Sequence, residues 1–374
     1  MSVSARAAVL ETRDGAFEMR DITVDDPRPD EVLVRMVATG ICATDAHVRA
    51  RRIATPLPVV LGHEGAGVVE RVGAAVTAVR PGDHVVLSYH SCGVCPPCVA
   101  AHPAYCDRVW DANFAGARLD GTNGLHAADG ADGVAPRGHF FGQSSFATYA
   151  LAHRRNTVKV PADLPLEVLA PLGCGFQTGA GAVLTALGVT RGSSFAVFGT
   201  GAVGLAAVMA ARIAGAATII AVEVEQARLD LARELGATHV VDAGRVDDLT
   251  GALRAVVPRG TDFALDTSGR TQNLTAGVDA LAPMGRFGFV AFHDGADAMV
   301  DASRLAVGQS LHGIIQGDAV PALLINELIA LHRDGRFPVD RLTSHYNFAD
   351  IDTAFDDVAS GAVLKAVLRF PTPA

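Results

Sequence analysis

Phe195-Ala-Val-Phe-Gly-Thr-Gly-Ala-Val-Gly204, continued by Leu205-Ala-Ala-Val-Met-Ala-Ala-Arg-Ile-Ala-Gly215 and Thr218-Ile-Ile-Ala-Val-Glu223, decides the fold of half this chain. An apolar β-forming run, a glycine turn, an alanine-rich helix, a second apolar run and a terminal acid make one βαβ unit with a dinucleotide-binding fingerprint. Gly199 allows the turn, Gly201 lets backbone amides approach a pyrophosphate, Gly204 lets the helix lie close to the sheet, and Val203 is a further cofactor contact inside the loop. The helix N-terminus attracts the anion. Glu223 ends the second strand at the distance expected of a carboxylate that grips two ribose hydroxyls. A glycine triplet means little in a chain with 39 Gly; the flanking strand, helix and acid give it weight. A carboxylate repels a 2′-phosphate, and no Arg follows it before Arg228, so NAD is expected rather than NADP.

Beyond Glu223 the alternation continues: helix 226–235 capped by Gly236, strand 238–242, helix 246–257, strand 261–266, helix 271–281, strand 285–291. This is the repeat of a doubly wound, mostly parallel sheet, a Rossmann domain in an α/β protein. Upstream the pattern differs. Ala7–Leu10, Phe17–Val24 and Glu31–Ala38 are short alternating runs between Asp/Pro/Gly clusters, which read as antiparallel strands of a separate β-rich domain. Residues 107–138, rich in Gly, Asp and Ala, read as a long surface loop, and the chain is expected to return to strand from His139. Leu166–Leu187 has helical spacing broken by Pro171 and by Gly173-Cys174-Gly175. A helix over Pro321–Arg333 with proline in its first turn, a strand near 342–348, a helix 351–359 and a strand 365–370 close the chain and are expected to rejoin the β-rich domain. The expected division is residues 1–171 with 309–374 against residues 172–308.

The length of 374 residues suggests about two domains. With 49% hydrophobic and 19% charged residues the chain has a globular composition. A formal net charge of −9 and the lack of long basic clusters argue against nucleic acid or anionic membranes as partners. The N-terminus has no apolar h-region, and apolar runs break before membrane-spanning length, so a cytoplasmic location is expected.

Six cysteines in such a chain read as metal ligands or reactive thiols before disulfides. Cys92, Cys95, Cys98 and Cys106 form C-x2-C-x2-C-x7-C, the spacing of a closed structural zinc site in which four thiolates satisfy a tetrahedral ion. Four buried free thiols would not explain that spacing, and the lobe is too poor in basic residues for a nucleic-acid ribbon. Cys42 and Cys174 stand apart. Gly40-Ile-Cys42-Ala-Thr44-Asp45-Ala-His47 crowds a thiol, a hydroxyl, a carboxylate and an imidazole together, and Gly62-His63-Glu64-Gly-Ala-Gly67 puts two potential ligands at the head of a strand.

Gly62-His63-Glu64-Gly-Ala-Gly67, the four-cysteine lobe and Gly199-Thr-Gly-Ala-Val-Gly204 together resemble the zinc-dependent medium-chain alcohol dehydrogenases over nearly the whole chain, with a GroES-like catalytic domain beside the Rossmann domain. Phe140-Phe-Gly-Gln-Ser-Ser-Phe-Ala-Thr-Tyr149 and Gly173-Cys-Gly-Phe-Gln-Thr-Gly-Ala-Gly181 look most like bacterial benzyl or aryl alcohol dehydrogenases. The resemblance implies that Cys42, His63 and Cys174 hold a catalytic zinc, leaving a fourth position for water or substrate. Asp45 would orient the His63 imidazole, and Glu64 would sit behind the metal. A zinc-bound alcohol would ionise and release hydride to NAD, while its proton would leave through Thr44 and His47, a residue type that titrates near neutrality.

Some positions depart from the family pattern. Ala43 stands where many relatives carry a base on the pyrophosphate, leaving the helix N-terminus and Lys365 for that task, and Arg228 stands where a Lys often contacts the adenosine ribose. Tyr89, Phe140, Phe141, Phe292 and Ile315 would line an apolar slot for a benzylic, cinnamyl or terpenoid primary alcohol. Core packing explains any one of these aromatics as well. The family further suggests a homodimer or homotetramer. Two rivals remain: a glutathione-linked formaldehyde dehydrogenase, which needs basic groups at the pocket mouth, and a silent NAD-binding scaffold, which has no chemical need for an intact open metal site.

Overall fold

The structure is a computed structural model that describes residues 2–128, 134–291, 300 and 302–371. It divides into two compact units: residues 1–175, 320–330 and 338–374 form the first, and residues 176–319 and 331–337 the second.

In the second unit the βαβ sequence folds as its pattern requires. The strands Ser194–Phe198 and Thr218–Glu223 pair in parallel on either side of the helix Ala202–Ala214. Four more strands extend the sheet, all parallel, in the spatial order His239–Asp242, Thr218–Glu223, Ser194–Phe198, Thr261–Asp266, Leu281–Phe289, Ser310–Gly313. Numbered along the chain this is 3-2-1-4-5-6, the doubly wound order whose switch point lies beside the first strand. Strand residues such as Phe195, Val197, Ile220 and Leu265 are fully buried, as a sheet covered on both faces demands. Gly199 has φ +88°, and a Cβ on Gly204 would stand 1.9 Å from the Gly199 carbonyl oxygen, so both glycines are fixed by geometry.

The boundary differs from expectation. Ser310–Gly313 is the sixth parallel strand of this sheet and not part of the C-terminal return, and the unit runs on to Ala319. Four residues are too few to announce a strand by alternation.

The first unit is built on two sheets, antiparallel throughout except that Thr343–Asn347 runs parallel to its neighbour Lys365–Arg369. One sheet runs Val59–Val60, Val3–Leu10, Phe17–Val24, Leu125–Ala127; the other runs Thr343–Asn347, Lys365–Arg369, Glu31–Gly40, Glu64–Val72, His84–Leu87, Thr157–Lys159, with Tyr149–His153 also on Glu31–Gly40. Buried strand residues, among them Leu10, Ile22, Leu33 and Val34, make one core with Leu61 and Phe146 from the connecting segments. Residues 107–138 are not a plain loop, because the helix Val109–Phe114 buries Ala112, Asn113 and Phe114 and Leu125–Ala127 is an edge strand. Nor does the strand resume at His139. His139, Phe141, Gly142 and Ser144 have φ between +51° and +63°, coiling Phe140–Gly142 into a 3₁₀ turn, and strand pairing begins at Tyr149. Among the described residues no single helix is long and apolar enough to cross a membrane.

Candidate active site

Asp45 organises the centre. It lies in the first turn of the short helix Ala43–Arg49, whose N-cap is Cys42. Its Oδ2 accepts from the Cys42 amide (3.1 Å), and its Oδ1 accepts from the Gly62 amide (3.1 Å) and faces His63 Nδ1 (3.1 Å). Two segments eighteen residues apart are thereby pinned to one fully buried carboxylate. Cys174 enters from between two helical pieces, Ala170–Gly173 and Gly175–Gly181, where φ −143° and ψ −79° interrupt the helix. A Cβ on Gly173 would stand 2.1 Å from the Leu87 carbonyl oxygen, so glycine there lets the break approach the sheet.

The result is that donor atoms of Cys42, His63 and Cys174 all lie within 4.8 Å of one another. His63 Nε2 is buried and has no hydrogen-bond partner. A buried polar atom without a partner costs free energy unless something coordinates it; two thiols and this nitrogen are a donor set that fits zinc with an open fourth position. Charge agrees with that fit. Cys42 is held well below the ordinary thiol range, first by its hydrogen bond with Cys174, against burial, and then by His63. Burial disfavours a charged imidazole at His63, but Asp45 and Cys42 outweigh it and hold the ring at about 10, so the cluster attracts positive charge.

Behind the centre, Glu64 is directly opposite Gly40 in the sheet, and a Cβ on Gly40 would stand 2.0 Å from Glu64 Oε2. Lys365 donates to Glu64 Oε1 (2.9 Å) and Oε2 (3.0 Å) and to the Ile41 carbonyl (2.9 Å), and the Gly175 amide donates to Glu64 Oε1 (3.0 Å). Burial pushes Glu64 up to about 7 even with Lys365 beside it, whereas Lys365, despite its own burial, is raised by that carboxylate. Three donors on two oxygens are the geometry of a carboxylate facing an ammonium, and we assign that state. The three hydrogen bonds of the Lys365 ammonium thus stay within the first unit, on Glu64 and the Ile41 carbonyl.

Thr44 Oγ1 stands 3.9 Å from Cys42 Sγ, and His47 follows one helical turn later on the same helix. His47 is held below its ordinary value by burial and then by Arg52. Phe141 stacks on the His63 ring (centroids 4.3 Å, 25°), Phe140 meets it edge-on (5.6 Å, 78°), and Phe114 packs against both phenylalanines. Tyr89 is buried in the same core. Ile315 belongs to the second unit and is exposed, and Phe292 lies outside the described residues.

In the second unit Glu223 reaches the glycine turn, where its Oε2 accepts from the Thr200 amide (2.8 Å) and hydroxyl (3.0 Å) and its Oε1 from the Val224 amide (2.8 Å). Burial opposes its ionisation, but these donors, with Arg228 nearby, lower it. A Cβ on Gly201 would meet nothing within 4 Å. The protein itself does not require glycine there, which fits a turn kept bare for a ligand's phosphates.

The four sulfurs of Cys92, Cys95, Cys98 and Cys106 also lie within 4.8 Å of one another. Backbone amides of Cys92, Asp107 and Arg108 donate to them at 3.3–3.4 Å. Burial opposes ionisation of Cys92, yet the amides of Val94 and Cys95 bring it down to about 6. Val94 and Val99 are 76% and 75% exposed, so this lobe has little core of its own and the sulfurs are what an ion would tie together.

Comparison with known proteins agrees with this geometry. Residues 28–162 match the alcohol dehydrogenase GroES-like domain and residues 202–331 the zinc-binding dehydrogenase family. The chain is 43% identical over 372 residues to geraniol dehydrogenase from Castellaniella defragrans, covering 98% of each. It is similar to the crystal structure of an alcohol dehydrogenase zinc-binding domain protein from Burkholderia ambifaria (49% identity, TM-score 0.96, 100% of each chain). It is also similar to that of benzyl alcohol dehydrogenase from Acinetobacter calcoaceticus (43% identity, TM-score 0.94, 99% of this chain and 100% of the other). With a GroES-like unit carrying both cysteine clusters, a doubly wound Rossmann-type unit and relatives matched from end to end, this chain belongs to the zinc-dependent medium-chain alcohol dehydrogenases and is an oxidoreductase.

Proposed function

We propose that the enzyme reversibly oxidises a primary aromatic or allylic alcohol to its aldehyde, with NAD as hydride acceptor and one zinc at Cys42, His63 and Cys174 beside a structural zinc at Cys92, Cys95, Cys98 and Cys106. The observation that carries the reading is the partnerless, buried His63 Nε2 between two thiols, with Phe141 stacked on the same ring. Relatives named for geraniol and for benzyl alcohol, one allylic and one aromatic, support the substrate class.

When bound, zinc supplies the Lewis acidity that favours an ionised substrate hydroxyl, and NAD supplies the hydride acceptor. The chain's own residues do the rest. Asp45 accepts at Nδ1 and so selects the tautomer whose Nε2 is a metal ligand. Thr44, beside Cys42, takes the proton of the substrate hydroxyl, and His47 passes it to solvent; lowered by burial and Arg52, that imidazole is neutral at pH 7 and able to accept. Glu223 receives the ribose hydroxyls and disfavours a 2′-phosphate, while Gly199, Gly201, Val203, Gly204 and Arg228 complete the nucleotide site. Phe140 and Phe141 give the apolar wall. We place the enzyme in the cytoplasm, as a homodimer or homotetramer, in keeping with its acidic charge balance and family resemblance.

The test is the initial rate of NAD reduction with benzyl alcohol and geraniol, read beside NADP and beside a short aliphatic alcohol at equal concentration. We expect turnover with NAD and an aromatic or allylic alcohol to exceed the other combinations. Turnover of S-hydroxymethylglutathione alone, or of nothing despite two bound zinc ions, would replace this reading by the glutathione-linked dehydrogenase or the silent scaffold.

A further inference from the structure

We propose that Gln143 is a positioning residue for the catalytic metal, acting through the peptide groups on either side of Glu64, the first of which carries the His63 carbonyl. Its side chain is buried, 1% exposed, and its three hydrogen bonds all go to main-chain groups. Nε2 donates to the His63 carbonyl (3.0 Å) and the Ser88 carbonyl (2.9 Å), and Oε1 accepts from the Gly65 amide (3.1 Å). One side chain thus holds the peptide groups before and after Glu64 and ties them to the end of the neighbouring strand.

The tie continues to a second ligand. The Ser88 hydroxyl donates to the Gly173 carbonyl (2.7 Å), one residue before Cys174. Asn156 Nδ2 faces the same Ser88 carbonyl (3.2 Å) and those of Phe141 and Gly142 (3.1 Å each), fixing the turn that stacks Phe141 on His63. Asp45 holds the imidazole from its Nδ1 side, and Gln143 holds the backbone from which that imidazole extends. The close fit is confirmed at Gly65, where a Cβ would stand 2.9 Å from Gln143 Oε1. A metal centre must keep its ligands within about 0.5 Å of productive geometry, and losing an outer support of this kind typically costs about 10–100-fold in metal affinity or activity.

The inference rests on the assignment of a metal to Cys42, His63 and Cys174. Gln143→Glu is nearly isosteric and keeps an acceptor for the Gly65 amide, but an ionised carboxylate cannot donate to the His63 and Ser88 carbonyls. Zinc release from the purified enzyme to a chelator is followed in wild type and variant, with the visible spectrum of cobalt-exchanged protein as a second readout. Wild type is expected to release two zinc ions in two phases. In Gln143→Glu the phase assigned to Cys42, His63 and Cys174 accelerates about 10–100-fold, the cobalt–thiolate bands shift, and release from the four-cysteine lobe is unchanged. A core variant, Leu33→Ala, which removes packing away from the ligands, leaves both rates and the spectrum unchanged. If Gln143→Glu fails to fold, Gln143→Asn, which keeps the amide one methylene short, is read in the same two ways. A folded Gln143 variant with wild-type release and spectrum, or a Leu33→Ala variant with the same acceleration, overturns the inference. A wild type holding only one zinc overturns instead the metal assignment beneath it.

Discussion

Asp45 carries three hydrogen bonds on two oxygens, so its removal is felt at Cys42, Gly62 and His63 together. Asp45→Asn keeps the volume but removes the charge and lets an amide donor face one of those three groups. We expect zinc affinity at this centre, or kcat/KM, to fall by about 10–100-fold, with the four-cysteine zinc retained; competition with a chromophoric chelator measures it. His47 gives a pH prediction. Because burial and Arg52 lower its pKa, it gains a proton only below its ordinary 6.5, and the relay stays competent down to that point. The acid limb of the kcat profile should therefore lie below pH 6.5, and His47→Gln should remove that limb while slowing turnover at pH 7; a limb unmoved by the substitution assigns the proton path elsewhere. At this scale the sequence revealed identities but not partners. Lys365 was legible as a cation near the cofactor from family pattern alone, yet its three donors go to Glu64 and Ile41.

Elements differ in how they are held. The helix Ala202–Ala214 needs no ion, because apolar residues bury most of it and Gly215 closes it in the left-handed region. The lobe from Cys92 to Cys106 is the opposite case, with Val94 and Val99 in solvent and short helices of four and three residues. Isolated helices of that size are not stable without other constraints. Cys95→Ser should therefore lower the thermal midpoint, remove one zinc, and make residues near 92–106 the first cleaved in limited proteolysis; an unchanged midpoint would mean the lobe is held by packing instead. The turn at Phe140–Gly142 marks the limit of periodic reading. Its aromatic run reads as the start of a strand, and only the left-handed φ values of His139, Phe141, Gly142 and Ser144 coil the chain so that the Phe141 ring stacks on His63.

For the whole molecule the decisive contact joins residues 301 positions apart in sequence, Glu64 and Lys365. The C-terminal strand Lys365–Arg369 pairs antiparallel with Ala38–Gly40, next to the segment that carries Cys42, so the last part of the chain completes the wall behind the metal ligands. Lys365→Met leaves the Glu64 carboxylate buried without its cation. We expect a loss of about 3–5 kcal/mol, measured by urea unfolding, and partial recovery in Glu64→Gln/Lys365→Met, since a neutral amide needs no counter-charge. A single variant as stable as wild type would show that the pair contributes nothing net. The division into units makes the same point, for residues 309–319 fall in the second unit, where Ser310–Gly313 joins the parallel sheet, and not with the C-terminal return.

Local chemistry by itself determined much of this protein. Gly199-Thr-Gly-Ala-Val-Gly204 specifies a turn that closes within a few residues, and C-x2-C-x2-C-x7-C draws its sulfurs together over fifteen positions, so both were legible without coordinates. The conjunction of Cys42, His63 and Cys174 was legible only through resemblance, since no spacing rule links residues more than a hundred positions apart. Tertiary structure alone decided that Glu64 faces Gly40 and Lys365, that Gln143 grips the main chain around His63, that residues 139–144 coil instead of extending, and that Ser310–Gly313 joins the sheet. The physical reason is common to all four. A buried amide, carboxylate or ammonium must find its partner wherever the packed chain brings one, and that search is settled by the whole fold rather than by neighbouring residues.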